Sequence, residues 1–353
     1  MSWFTRLTVR GRTVVVGSVL TATLVAAGAA VPIPYVAIGP GVTYDTLGSV
    51  DGTKVITFTG DGIPPSVDES PAPGGQLNMT TISITDGVPL FEALGLWTTG
   101  RYALAPREDY FPPDKTVEQV QEQDAQAFRD SQSSAEIAAL RYLDYPNIVF
   151  VGEIQDGSPS SGILQPQDQI VDLDGTPISD FPSLQTALAT TTPGQVVSIT
   201  VLRDGKQVTE KVTLGTNPKG GSSGFLGIGA QERPYAPFDI TIALERIGGP
   251  SAGLMFALGI MAKTGTQNLT GGKFIAGTGT IDPDGTVGPI GGIQLKMVAA
   301  RDKGATVFLA PAANCSDVRA DTPKGLTVVK VTNLSDAVHS LLALQSGGAV
   351  PHC

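Results

Sequence analysis

Hydrophobic positions are distributed unevenly along the chain. No charged residue occurs from Thr13 to Tyr44, and Val14 to Val31 is almost wholly apolar. A bilayer core takes roughly 20 apolar residues in helical form, so this pattern predicts a membrane-spanning helix, assigned to 13–36. Ala27-Gly28-Ala29 also fits a small-residue cleavage pattern, leaving a removed signal peptide as the rival; the length of the run favours an uncleaved anchor. Beyond it, alternating stretches predict strands at Val55 to Thr59 and Leu77 to Ile84, separated by Pro64-Pro65 and Pro71-Ala72-Pro73-Gly74-Gly75. Thr116 to Tyr142 reads as a helix rich in Gln, Ala and Glu, broken near Ser131-Gln132-Ser133-Ser134.

Short elements follow. Ile148 to Ile154 is strand-like, Asp156 to Gly162 is a loop, and Ile163 to Ile170 turns into a further strand. Asp174-Gly175 marks a tight turn, Phe181 to Leu188 a helix, and Val196 to Leu202 with Gln207 to Leu214 a hairpin across Arg203-Asp204-Gly205-Lys206. Later, the strand-like Phe238 to Leu244 leads through Gly248-Gly249-Pro250 into an apolar helix from Ala252 to Met261. Ser335 to Leu342 closes the pattern as a capped terminal helix.

Charge adds an orientation. Arg6, Arg10 and Arg12 precede the apolar run, which places the N-terminus in the cytoplasm and the bulk of the chain outside it. The net charge of −10 disfavours nucleic acid as a partner. Two histidines and two cysteines without Cys-x-x-Cys or His-Glu-x-x-His leave no metal constellation, and no phosphate-binding Gly-x-x-x-x-Gly-Lys motif is present. No cofactor and no ATP are therefore expected. In an exported chain, a single bridge is the simplest use of Cys315 and Cys353, with two free thiols as the alternative.

The candidate chemistry lies near Gly249-Pro250-Ser251-Ala252-Gly253. A serine becomes a nucleophile only when a base takes its proton, and histidines are scarce here. Lys296, in Gly291-Gly292-Ile293-Gln294-Leu295-Lys296, can serve if burial lowers its pKa, and Ile293, Ala299 and Ala300 would share its helical face. Pro250 suits a first helical turn. A serine at such a start lies among free backbone amides that can hold an oxyanion, which points to the backbone of Gly249, Pro250 and Ala252.

Gly-Pro-Ser-Ala-Gly, then Thr278-Gly279-Thr280-Ile281, Pro289-Ile290-Gly291-Gly292 and Lys296, occur in an order that resembles the proteolytic domain of Lon-type Ser-Lys proteases. The resemblance covers roughly 225–345. It implies Ser251 as nucleophile, Lys296 as general base, Thr278 as the partner orienting the lysine, and a ribosomal protein S5 domain 2-like fold. Many Lon relatives carry an acid before Gly-Pro-Ser, where this chain has Gly249. The cytoplasmic family's ATP-driven motor has no counterpart in the motifs. The pentapeptide also fits the Gly-x-Ser-x-Gly elbow of α/β-hydrolase esterases, for which His339 would have to supply the base.

Residues 148 to 214 resemble a bacterial PDZ domain of the kind attached to envelope proteases, with Ser160 where alanine is usual and Gln167 where glycine is usual. Such domains bind peptides by adding a strand to a sheet edge, and Leu143, Asp144, Tyr145, Ile148, Val149 and Phe150 are the positions expected at that edge. Pro34 onward and Gly75 to Thr81 resemble the juxtamembrane region of membrane-anchored PDZ and Lon-domain proteins. The resulting expectation is an α+β chain: a basic tail 1–12, an anchor 13–36, a juxtamembrane region 37–140, a PDZ-like domain 141–216, a Lon-type domain 225–345 and a tail 346–353. Its expected activity is that of an ATP-independent, single-pass membrane serine endopeptidase that cleaves flexible or membrane-tethered envelope proteins, protein or peptide substrates being recruited by the PDZ module. A non-catalytic envelope adaptor is the alternative, and a homo-oligomer is left open.

Overall fold

The computed structural model describes residues 8–64, 75–203, 205–244, 247–265 and 267–353. Arg6, Pro65, Pro71 to Gly74, and Asp204 of the expected hairpin turn lie outside the described residues. Helix and strand occur in similar shares, and the chain divides into two compact units. One comprises the described residues of 1–57, 65–135 and 241–353; the other comprises 58–64 and 136–240.

The apolar run forms a 22-residue helix, Val9–Ala30, whose most apolar 18-residue window has a mean hydropathy of 1.9 and is not buried by protein; Gly28 is the buried position of the helix. At 1.5 Å per residue it is about 33 Å long, enough to cross a hydrocarbon core. Its limits differ from the expected 13–36. The Thr8 side chain accepts from the Gly11 amide, which draws Arg10 and Arg12 into the first turns. Pro32 and Pro34 end the helix, since proline cannot supply the amide that continuation needs.

The first unit is organised on a six-stranded mixed sheet. Its order is Thr327–Val331, Val307–Pro311, Phe274–Gly277, Gln76–Thr85, Tyr35–Asp45, Ala103–Pro106. The first four are parallel neighbours and the last two pair antiparallel. Three of these strands come from residues 35–106, so the segment read as juxtamembrane builds half the sheet of the unit that holds the C-terminal region. The helix Gly253–Thr264 is apolar on every side and almost wholly buried, as an all-round apolar helix must be.

Val117–Tyr142 is one unbroken helix, which corrects the break expected at Ser131 to Ser134. Serine in a helix is costly when its hydroxyl competes with the backbone. Here Ser131 is buried and donates instead to the Pro250 carbonyl at 2.9 Å.

The second unit is an antiparallel sheet in the order Lys206–Thr213, Val196–Arg203, Gln169–Leu173, Asn147–Ile154, Ile228–Pro234, with the helix Phe181–Ala189 beside it. Its core gathers the inward positions of these strands, Val149, Val151, Ile170, Val197, Ile199 and Val201 among them. Both departures from the usual pattern have a physical account. Gln167 takes φ +73°, the left-handed conformation that glycine adopts freely, while its amide still donates to the Val151 carbonyl at 2.7 Å. Ser160 is buried, and its hydroxyl donates to the Leu226 carbonyl at 2.7 Å, a bond alanine could not make.

Asp168 anchors this unit. Its fully buried carboxylate receives Arg203 Nε at 2.8 Å and Nη2 at 2.7 Å, and also the Gln165 amide at 2.8 Å. Removing Asp168 leaves Arg203 with the Ile163 carbonyl and the more distant Glu210 at 3.9 Å, and takes the acceptor from the Gln165 amide, a loss of about 3 kcal/mol for a buried pair. We expect Asp168→Ala to destabilise this unit by about that amount. Hydrogen exchange on the intact chain should show faster amide exchange in Gln169–Leu173 and Val196–Arg203, with the Gly253–Thr264 helix unchanged.

Candidate active site

Ser251 sits in the turn that leads into Gly253–Thr264, and Lys296 projects from the middle of the helix Ile293–Asp302. The turn is forced by local chemistry. Gly249 adopts φ +82°, which a residue with a side chain would take only with strain, so glycine suits this place. Gly253 cannot carry a side chain: an added Cβ would lie 2.8 Å from the Ile281 Cγ2 and the Ser131 Oγ. The lysine helix starts at Gly292, whose left-handed φ of 67° turns the chain and whose carbonyl accepts the Lys296 amide at 3.1 Å. Ile293, Lys296, Met297, Ala299 and Ala300 are its buried positions.

Tertiary structure brings three side chains together. Lys296 Nζ lies 2.7 Å from Ser251 Oγ and 3.0 Å from Thr278 Oγ1. The Thr278 hydroxyl donates to the Ser251 carbonyl at 2.9 Å, and the Gly279 amide donates to the same oxygen, also at 2.9 Å. This fixes the direction of the network. With its proton committed to Ser251 O, Thr278 can only accept from Lys296, which leaves a neutral lysine free to turn its lone pair to the serine hydroxyl. Lys296 is 3% exposed, and burial alone lowers its pKa to about 8.

Two elements outside the expected motifs hold the site in place. The Gly249 amide donates to the Asp124 carbonyl at 2.9 Å, and Ser131 holds the Pro250 carbonyl, so the helix Val117–Tyr142 clamps the Ser251 turn twice. Asn314, buried, receives the Ile290 amide at 3.0 Å and donates to the Ile290 carbonyl at 2.8 Å, fixing the approach to the lysine helix. The next residue, Cys315, is bonded to Cys353 with Cα atoms 5.0 Å apart. Nothing in local sequence marks Asn314 or Asp124, whereas the Ser131 cluster was visible only as an expected helix break.

A cleft of about 450 Å³ opens over the serine, bounded by Tyr44, Met79, Ile82, Ile84, Tyr110 and Asp124. Desolvation there raises the Asp124 carboxyl pKa. Among the expected oxyanion positions, Pro250 has no amide hydrogen and the Gly249 amide is already bonded. The Ser251 and Ala252 amides are the donors that remain at the turn. His339 is exposed on the helix Leu334–Gln345 and pairs with Ser335 of that same helix, which removes the base that the esterase elbow would need.

The expected peptide edge needs correction. Asn147–Ile154, which carries Ile148, Val149 and Phe150, is an interior strand, paired with Gln169–Leu173 on one side and along its full length with Ile228–Pro234 on the other. Glu232 fastens that outer strand, accepting from Asn147 Nδ2 at 2.6 Å and from the Phe181 amide at 3.0 Å, and Arg233 lies over the Phe150 ring at 4.5 Å. Leu143 and Asp144 follow the end of Val117–Tyr142, and the Tyr145 ring packs edge-on against Phe238. None of the three lies on the open edge. Sequence periodicity cannot reveal such an occupied edge, because the covering strand lies far along the chain.

Residues 119–214 match the PDZ domain family, and residues 245–344 match the Lon protease (S16) C-terminal proteolytic domain. The chain thus carries a PDZ domain and a Lon-type proteolytic domain. It is 35% identical over 96 residues to the periplasmic pH-dependent serine endoprotease DegQ of Escherichia coli (strain K12), covering 27% of this chain and 21% of that protein. The chain therefore spans about a fifth of the length of this curated relative. Among solved structures, the PDZ domain of the SdrC-like protein from Listeria innocua is 21% identical, covering 24% of this chain and 92% of that one, with a TM-score of 0.22. The HtrA-type protease AlgW with decapeptide is 37% identical, covering 19% and 21%, with a TM-score of 0.18.

Burial of Lys296 has a consequence for stability. Its folded pKa of about 8 lies below the free value of 10.5, so the unfolded chain binds more protons between those pH values and stability rises with pH across that window. Below about pH 8 the full penalty of burying the ammonium applies. We expect Lys296→Met, which carries no such penalty, to be more stable than the natural chain by ~2 kcal/mol at pH 7, after allowance for lost hydrogen bonds. The advantage should disappear toward pH 10.5, as read from urea midpoints across that range.

Proposed function

We propose that this chain is a membrane-anchored, ATP-independent serine endopeptidase working through a Ser251–Lys296 dyad. The observation that supports it most directly is the 2.7 Å approach of a buried lysine amine to the serine hydroxyl at the floor of an open cleft. Neutral Lys296 accepts the Ser251 proton as the oxygen attacks a peptide carbonyl, then returns it to the leaving amine. Thr278 holds the amine in line, and the Ser251 and Ala252 amides face the developing oxyanion. A largely apolar cleft without a motor suits substrates that are already extended.

The apolar Val9–Ala30 helix, with Arg10 and Arg12 at its start, supports a cytoplasmic N-terminus and a catalytic unit on the other side of the membrane. A disulfide between Cys315 and Cys353 fits such an oxidising location. The PDZ domain is read as a recruitment module held closed by its own chain: a peptide adds to Asn147–Ile154 only when Ile228–Pro234 leaves that edge.

Peptidase assays test the dyad. Ser251→Ala and Lys296→Met should each abolish turnover, and the double variant should lose nothing further. Lys296→Arg should be equally inactive, because arginine stays protonated; an active arginine enzyme would rule out the base assignment. Activity of the natural chain should climb with pH through about 8, and His339→Ala should leave that limb in place.

A separate measurement tests the recruitment module. Glu232→Ala removes two side-chain ties that add to the backbone pairing of the covering strand, so fluorescence anisotropy with a pool of labelled extended peptides should show about tenfold tighter binding than the natural chain, the gain expected when ~1.4 kcal/mol of closure is lost. Unchanged binding would mean that the PDZ domain has a structural role only.

A further inference from the structure

The helix Leu90–Thr98 is short and strongly apolar, and it leaves its large side chains uncovered. Trp97 is 57% exposed, Phe91 47%, Leu94 42% and Leu90 41%. At 100° per residue, Leu90, Leu94 and Trp97 fall within an arc of about 60°, which Thr98 and Phe91 widen to about 120°. The opposite side is different: Ala93 is buried in a small cluster with Ala37 and Val88, against which Leu96 packs, and the helix's one charge, Glu92, lies off the apolar arc. A contiguous apolar face of this size on a folded unit marks a surface that meets something apolar.

Its position identifies the partner. The Phe91 ring packs on the buried Gly28, in the last turn of Val9–Ala30. The Ile33 amide donates to the Val88 carbonyl at 3.0 Å, and Pro32 bridges to Pro89. These contacts tie Leu90–Thr98 to the place where the apolar helix ends. Val31 and Tyr35, 58% and 42% exposed, continue the apolar surface between the two elements. If the anchor crosses a bilayer, its last turn lies at the headgroup level, and a helix packed on that turn is held at the same depth. Tryptophan is the residue whose amphipathic ring favours that interface.

We propose that Leu90–Thr98 lies in the outer membrane–water interface, with Leu90, Phe91, Leu94 and Trp97 turned into lipid, so that the catalytic unit rests on the bilayer instead of swinging from its anchor. This rests on the anchored-protease reading above and extends it to a substrate class. Ile84 borders the serine cleft and stands six residues before Leu90, so the cleft wall is no more than about 20 Å of extended chain from the interface. The substrates that reach it most readily are the membrane-proximal stretches of other membrane-bound proteins.

Trp97 reports on its own surroundings, because the chain has only two tryptophans and Trp3→Phe leaves Trp97 alone. The full chain carrying Trp3→Phe would be reconstituted into phosphatidylcholine vesicles, with and without bromine on the upper part of the acyl chains. The expected result is blue-shifted emission, roughly halved by the brominated lipid, with little quenching by aqueous iodide. Emission that iodide quenches and bromine does not would overturn the proposal. Blue-shifted emission untouched by bromine would overturn it too, and would assign the face to a second copy of the chain. Flotation separates the two readings: a chain that fails to float with vesicles loses its anchor and this inference together, whereas one that floats with an unquenched Trp97 loses this inference alone. Leu94→Asp with Trp97→Ser should lower cleavage of a vesicle-tethered reporter about tenfold while a soluble peptide is cut at the natural rate. Equal rates on the tethered reporter would overturn the proposed substrate class.

Discussion

The structure turns on one lysine kept out of water. Burying an ammonium is costly, and the partners that Lys296 finds among the described residues are the Thr278 and Ser251 hydroxyls. The physical result is a side chain that releases its proton near neutral pH, at the expense of folding stability in the acid range. The same burial that weakens the fold is what the proposed base requires. Stability and the proposed chemistry are therefore opposed at a single position, as is common where a site needs a perturbed group.

Holding that amine at bonding distance requires parts of the chain that share no local pattern. Thr278 enters from the end of Phe274–Gly277 and ties the backbone of Ser251 as well as the lysine. Asp124 and Ser131, two turns apart on one helix, grip Gly249 and Pro250. Asn314 grips Ile290 before the lysine helix, with the Cys315–Cys353 bond directly after it. Each clamp uses a backbone group of the Ser251 turn or of the loop before the lysine helix. The Ser251, Lys296 and Thr278 side chains are thereby left free to meet one another.

The rest of the first unit places this site. Tyr35–Asp45 and Gln76–Thr85 extend the parallel strands of the C-terminal region, and Tyr44, Met79, Ile82 and Ile84 from them form one wall of the cleft. The chain then passes directly into Leu90–Thr98 at the foot of the apolar helix. In the second unit, an antiparallel neighbour supplied by the chain itself occupies the strand side where a peptide would add. Both features depend on contacts between separate segments of the chain, and both enter the proposed route of substrate to the serine.

Local sequence determined a good deal. The apolar run marked a helix of membrane-crossing length because composition alone sets whether a helix can face lipid. The Gly-Pro-Ser turn, the apolar helix behind it and the double glycine before Lys296 were legible because turns and helix starts depend on a few adjacent residues. The order of motifs pointed to the PDZ and Lon-type domains, and the hairpin Val196–Arg203 with Lys206–Thr213 followed from alternation. Only tertiary structure decided the remainder. That Ser131 continues a helix depends on a carbonyl 119 residues away; that Asn147–Ile154 is interior depends on a strand that follows the whole hairpin; and that Asn314 matters depends on where Ile290 comes to rest. A sequence pattern records which face of an element is apolar. It does not record what covers that face, because the covering group is chosen by packing among segments distant in the chain.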